Sequence, residues 1–171
     1  LKFYVNDVTK GELYEGDIDM VITLHACDTA TDYALDKAVK WGAGVIMAVP
    51  CCQHEVNKQI ENEQLQPLLK YGLIKERVSA LITDAIRANL LEEQGYQVQV
   101  MEFIDMEHTP KNILIRAVKE KEGTGKNTGI AELTEFLQVR NTLQELFASE
   151  RDVMEASASK SVPLMVGKKK K

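Results

Sequence analysis

The chain lacks any apolar run of transmembrane length, and nothing near its start has the apolar core of a secretory signal. Cysteine is scarce: there are three, an odd number, and two of them are adjacent. That argues against a disulfide framework and points to a reducing, cytoplasmic setting. An excess of positive charge is also missing. Lys and Arg number 21 against 26 Asp and Glu, a net charge of −5. A general polyanion-binding surface is thereby disfavoured, while a local basic groove stays open. There is no internal repeat. The first residue is Leu1 rather than Met, and the chain ends in Lys168 to Lys171. Both are expected of a piece or a processed form of a longer protein. What is present is 171 residues with an apolar share of 44%, enough for one domain with an ordinary core. The domain is expected over residues 1–148, with a poorly ordered Ser-rich and Lys-rich tail over 149–171.

Two segments match in design: Asp17 to Asp28 and Gly44 to His54. Each is a short apolar run that stops in polar, chemically capable residues. One helix length separates them. This is the pattern of strand, crossover helix and parallel strand. In open parallel α/β sheets, ligands bind beyond the carboxyl ends of the strands. Here those ends carry His25, Cys27, Asp28, Cys51, Cys52 and His54.

The remaining elements follow from period and punctuation. Phe3 to Val5 reads as a short strand ending at Asn6-Asp7. Met20 to Leu24 and Val45 to Val49 read as parallel neighbours buried on both faces, the second stopped by Pro50. Ala30 to Trp41 reads as the helix between them, with apolar Ala30, Ala34, Leu35, Ala38 and Val39, and Gly42 as its stop. Glu55 to Tyr71 is a polar helix interrupted or restarted near Pro67. Glu76 to Gln94 is a stronger helix, with a stripe of Val78, Leu81, Ile82, Ala85, Ile86 and Leu90, stopped by Gly95. Gln97 to Ile104 and Asn112 to Val118 read as an antiparallel hairpin. Glu120 to Gly129 reads as a loop, and Ile130 to Phe147 as one amphipathic helix.

A mostly parallel sheet closed by an antiparallel hairpin is the ending of the Rossmann-like class I methyltransferase fold. The motifs agree. His-Ala-Cys-Asp-Thr-Ala-Thr-Asp (His25 to Asp32), followed by Pro-Cys-Cys-Gln-His (Pro50 to His54), resembles a group of S-adenosylmethionine-dependent methyltransferases. The group includes bacterial predicted methyltransferases and eukaryotic tRNA 2′-O-methyltransferases. Ser79 to Asn89 and Glu107 to Asn112 look most like the bacterial branch. The resemblance covers Phe3 to Lys119. It implies S-adenosylmethionine as cofactor and RNA, tRNA or rRNA, as acceptor. Protein and small-molecule acceptors stay open. It also exposes a departure. The family's first two strands and its glycine-rich cofactor loop have no counterpart here, so the chain resembles the C-terminal part of such an enzyme. The missing N-terminal part of the same protein is then its expected partner.

The resemblance assigns roles by position. Asn6, Asp7 and Val8 would meet the adenine ring, where Asp7 could accept a hydrogen bond from the amino group; the other reading is a local Asx turn. Leu24, His25 and Ala26 would line the cofactor. His25, Cys27 and His54 are the catalytic candidates, and Cys51 and Cys52 the edge that meets substrate. Asp28 is expected to cap the helix that follows it. No metal is expected, because adjacent cysteines seldom share one ion and the usual Cys-x-x-Cys spacing is absent. Gly123 to Gly129 lacks a phosphate loop's ending and reads as a connector. Arg77, Arg87, Lys111 and Arg116 are candidates for a groove facing RNA, although Arg87 could simply pair with Asp84 at i, i+3. Trp41 and Tyr33 read as packing residues. The alternative function is a methyltransferase-like interaction domain without catalysis.

Overall fold

A computed structural model describes residues 5, 7–9, 18–24, 26–102, 113–120 and 126–149. The calls for Phe3, Tyr4, Asn6 and His25 fall outside these residues, as do the hairpin connector and residues 150–171. Val5 is described and is not in a strand.

Strand β1 (Met20–Thr23) and strand β2 (Val45–Ala48) are parallel neighbours, with helix α1 (Thr29–Lys40) between them in sequence. The register pairs Met20 with Val45 and Thr23 with Ala48, so the two carboxyl ends are level. α1 stops as its glycine dictates. Gly42 has φ +66°, its amide donates to Val39, and the Ala43 amide reaches back to the Ala38 carbonyl. This paired closure satisfies two carbonyls that the helix end would otherwise leave bare.

Helices α2 (Glu55–Gln59) and α3 (Gln66–Leu69) come next, joined through a 3-10 turn at Glu63–Leu65. The helix expected over Glu55 to Tyr71 is therefore broken after Gln59 and restarts at Gln66, next to Pro67 as expected. Pro67 sits in the first turn of α3, where its missing N–H costs nothing. Helix α4 (Gly72–Glu93) starts a turn earlier than its apolar stripe suggests, and Gly95 (φ +83°) follows its end. Strands β3 (Tyr96–Glu102) and β4 (Ile113–Lys119) form the expected antiparallel hairpin.

The sheet order is β1-β2-β4-β3. Among the described residues one pairing is parallel and two are antiparallel, so the described sheet is mixed rather than mostly parallel. The hairpin inserts β4 directly beside β2, which ends the parallel run there. α1 packs on β1 and β2, and α4 on β3 and β4. Leu35, Ile46, Ile86, Leu91 and Ile115 are fully enclosed in the core. β1 is not buried on both faces. Met20 and Ile22, which share one face of the strand, are 47% and 58% exposed.

The last expected helix is two. α5 (Ile130–Phe136) ends at Gln138, which has φ +56°, and helix α6 spans 142–149. The Gln138 amide donates to Glu135 and the Val139 amide to Thr134, the same closure that Gly42 gives α1. No helix among the described residues is long and apolar enough to cross a membrane.

Candidate functional site at the strand ends

Level strand ends bring two loops together. The first, residues 24–28, leaves β1; the second, residues 49–54, leaves β2. Val49 still donates to Thr23, which carries the parallel pairing one step further. Then the Asp28 amide donates to the Cys52 carbonyl at 3.0 Å. The Asp28 carboxylate Oδ1 accepts from the amides of His54 (2.8 Å) and Glu55 (3.1 Å). Asp28 thus caps a helix, but not the one expected. Its side chain makes no capping bond to α1. It satisfies the start of α2, across the gap between the loops. The backbone of Asp28 has φ 52° and ψ −125°, outside the region that side chains favour, and that turn aims the carboxylate across the gap.

Beneath the loops lies a buried charge node. Arg87 of α4 is fully enclosed, as is Asp32 of α1. Arg87 donates Nε to Asp32 Oδ1 (3.0 Å) and Nη2 to Asp32 Oδ2 (2.8 Å), a two-point grip. Nη1 meets Asp84 Oδ1 at 3.2 Å, and Nη2 also meets the Asp28 carbonyl at 2.8 Å. Gln53 of the second loop donates to the other Asp84 oxygen at 2.9 Å. One guanidinium therefore anchors the first loop directly and the second through Asp84 and Gln53. Arg87 cannot face RNA, a correction to one sequence candidate, whereas its pairing with Asp84 is present. The electrostatics follow from burial. Burial pushes Asp84 up to about 6 from its ordinary 3.8, against the opposing pull of Arg87 and Gln53. Burial alone would lower Arg87, but hydrogen bonding and the charges of Asp32 and Asp84 outweigh it, and its pKa rises.

The loops carry the thiols. Cys27 Sγ and Cys51 Sγ are 3.2 Å apart, and the sulfurs of Cys27, Cys51 and Cys52 all lie within 4.8 Å of one another. None is in a disulfide. Hydrogen bonding with Cys27, then burial, pushes the Cys51 thiol up to about 12, so by itself it is a protonated thiol near neutrality. Cys27 is exposed, and Cys51 and Cys52 are half-buried. Thr31 Oγ1 donates to the Ala26 carbonyl, which fixes the first loop against the start of α1.

The other candidates divide clearly. Leu24 is 54% exposed at the end of β1, and Ala26 is half-buried. His54 is exposed and immediately precedes α2. Val8 is half-buried. Asp7 accepts from the Thr9 amide (3.0 Å) and hydroxyl (2.7 Å), the local turn that its sequence position also allowed. Asn6 and His25 lie outside the described residues, as does Lys111. Arg77 is exposed; Arg116 donates to Gln99 across the hairpin at 2.9 Å. Tyr33 and Trp41 are half-buried. In the expected connector, the Gly129 amide donates to the Asn127 side-chain oxygen (3.0 Å) and the Thr128 hydroxyl donates to the Glu93 carboxylate (2.9 Å), so its described end is a helix-entry turn. Sequence reasoning missed Asp32 and Gln53 as parts of the node. The available signal was a charge on the inward side of α1.

Residues 3–59 match the model of a family described as a methyltransferase domain. That span holds β1, α1, β2, α2 and both cysteine-bearing loops. Two curated relatives are the glutathione S-transferase C-terminal domain-containing proteins of Macaca fascicularis and Homo sapiens. Each is 27% identical over 133 residues, covering 63% of this chain and 21% of the relative. The chain therefore spans about a fifth of the length of these relatives. No solved structure matches.

Proposed function

We propose that this chain forms part of a cytoplasmic, S-adenosylmethionine-dependent methyltransferase whose acceptor is RNA. The observation that carries the reading is a coincidence of place. The methyltransferase-domain match over residues 3–59 covers the two level strand ends, where Cys27, Cys51 and Cys52 meet. The RNA acceptor rests on the resemblance of the His25–Asp32 and Pro50–His54 motifs to tRNA 2′-O-methyltransferases.

The described residues fit one edge of the cofactor. Leu24 offers an exposed apolar wall at the end of β1, and Ala26 continues it. Asp7 offers a carboxylate able to accept from the adenine amino group. Among the described residues there is no glycine-rich loop of the kind that holds the methionine end. Once bound, the cofactor supplies an electrophilic methyl group. The chain's own residues then orient the acceptor, exclude water and remove a proton. His25 and His54 are the imidazoles that we assign to taking that proton, on the resemblance of their motifs. Cys51 and Cys52 flank the acceptor as small, polarizable walls. The Arg87 node keeps the two loops in register, which would hold the residues facing the cofactor and those facing the acceptor at a fixed separation.

Two measurements test this. S-adenosylmethionine is titrated calorimetrically into this chain, and into the chain together with any native residues preceding Leu1. Binding is expected to be weak for the first and clear for the second, and Asp7→Ala should weaken it about tenfold. Labelled methyl transfer is then followed into bulk tRNA, rRNA and protein. Label in RNA supports the reading, whereas label only in protein moves the acceptor. Failure of both forms to bind cofactor would replace the enzyme with a methyltransferase-like interaction domain.

A further inference from the structure

We propose that Cys27, Cys51 and Cys52 form a binding site for a single thiophilic d10 cation, zinc being the ordinary member of that class. The sequence argues against it, because adjacent cysteines seldom share one ion with good geometry and the Cys-x-x-Cys spacing is absent. The structure removes that objection. β2 ends at Ala48, Pro50 follows, and residues 51–54 are in neither strand nor helix. Released from the pleat, both side chains turn toward Cys27 on the other loop.

The sulfur geometry is close to what an ion requires. Three thiolates at about 2.3 Å from one zinc stand about 3.8 Å apart. Here all three sulfurs lie within 4.8 Å of one another, and those of Cys27 and Cys51 are 3.2 Å apart. Small side-chain rotations seat an ion without moving the backbone. A disulfide would need a separation of about 2 Å, so the sulfurs are in contact but not bonded. The cradle is also assembled in advance. The Asp28 amide holds the Cys52 carbonyl, and the Asp28 carboxylate holds the amides of His54 and Glu55. Little ordering is left to be done on binding, which favours affinity.

Charge and access fit as well. Each thiol that ligates gives its proton to solvent, and a metal–sulfur bond replaces each sulfur–hydrogen bond. An all-thiolate set selects zinc, cadmium or cuprous copper over magnesium and calcium, which prefer oxygen. Cys27 is exposed, so the ion has a path in, and the fourth position opens to water or to an outside donor. That is the pattern of a site that keeps an exchangeable position rather than a closed structural one.

The test reads metal alone and needs no methyl-transfer cofactor, so its outcome is separate from that of the proposed activity. The full 171-residue chain is prepared reduced and without an affinity tag, equilibrated with zinc, dialysed, and analysed for metal. The expected result is stoichiometric zinc. Zinc should also protect the cysteines from alkylation, and cadmium should give a thiolate charge-transfer band in the ultraviolet. Cys27→Ser and Cys51→Ser should each abolish retention with an unchanged circular dichroism spectrum. If either variant misfolds, protection of the unsubstituted chain from alkylation decides by itself. A reduced chain that retains no zinc and gains no protection overturns the site. So does zinc that survives the double substitution Cys27→Ser and Cys51→Ser.

Discussion

β1 and β2 share four residue pairs, whereas β3 and β4 share seven. The longer ladder is held by its own hydrogen bonds and by an apolar inner face that includes Tyr96, Ile115 and Ala117. Among the described residues its side-chain polar contacts are few; Tyr96 donates to the Ala43 carbonyl and Arg116 to Gln99. The shorter pair cannot hold its loops by pairing alone, since the ladder stops where the loops begin. There the work passes to Arg87, Asp32, Asp84, Gln53 and Asp28. The lesson is that the region meant to present chemistry is braced by buried charge, and the region that frames it by apolar packing. Buried charge is demanding. Its desolvation is severe, and it is tolerable only while every partner is present.

Substitutions at three residues probe that contrast. Arg87→Met should have the largest effect, about 3–5 kcal/mol, because it leaves Asp32 and Asp84 buried without a counter-charge. Urea unfolding measures it. The hairpin should keep its strand signal in the variant's native baseline, while Cys27 and Cys51 become faster to alkylate. Loss of no more than about 1 kcal/mol would mean that the node is dispensable.

Next comes the pH dependence of Asp84. Raising a buried carboxyl from 3.8 to about 6 corresponds to about 3 kcal/mol. The folded chain holds this proton more tightly than the unfolded chain. The contribution to stability is therefore full below the unfolded value, falls as pH rises through about 6, and is flat above. In Asp84→Asn that decline should vanish, so the difference in unfolding free energy between wild type and variant should change across this window and be constant at higher pH. Parallel curves throughout would show that Asp84 is not desolvated.

The smallest effect is expected at Asp28. Asp28→Ala removes the acceptor for the His54 and Glu55 amides and should cost about 0.5–2 kcal/mol. Asp28→Gly removes the same acceptor but relieves the positive φ, so it should cost less than Asp28→Ala. Thermal melts of both variants give the order. The reverse order would mean that backbone strain at this position is unimportant.

Much of the frame could be read from residue pattern. The apolar runs at Met20 to Leu24 and Val45 to Val49, with Pro50 as a stop, define the parallel pair. Gly42 and Gly95 mark helix ends, and both adopt the positive φ that only glycine takes easily. Gln138 takes the same conformation without announcing it, so one helix was expected where two exist. The stripe of α4 misleads for another reason. Leu81 is 58% exposed, while Ser79, Thr83, Asp84 and Arg87 are buried. The helix is rotated to serve the charge node, and hydrophobic period cannot see a polar residue whose partner lies on another element. The site was half legible. The cysteines were visible as a cluster of residue types, but their meeting depends on strand register and on Asp28 reaching a helix other than its own. Such contacts between distant segments leave no local trace.

Glu55 gives the brace a longer reach. Its carboxylate accepts from the Asn141 side chain and from the amide and hydroxyl of Thr142, at the start of α6. The Asp28 carboxylate holds the Glu55 amide in turn. Three segments distant in sequence are thus linked in series, each helix start held by the segment before it. Such a series opens as a unit or not at all. The amides of His54, Glu55 and Thr142 are therefore expected to exchange hydrogen as one cooperative unit, and a protease that trims the chain before residue 141 should loosen the cysteine loops from a segment far along the chain.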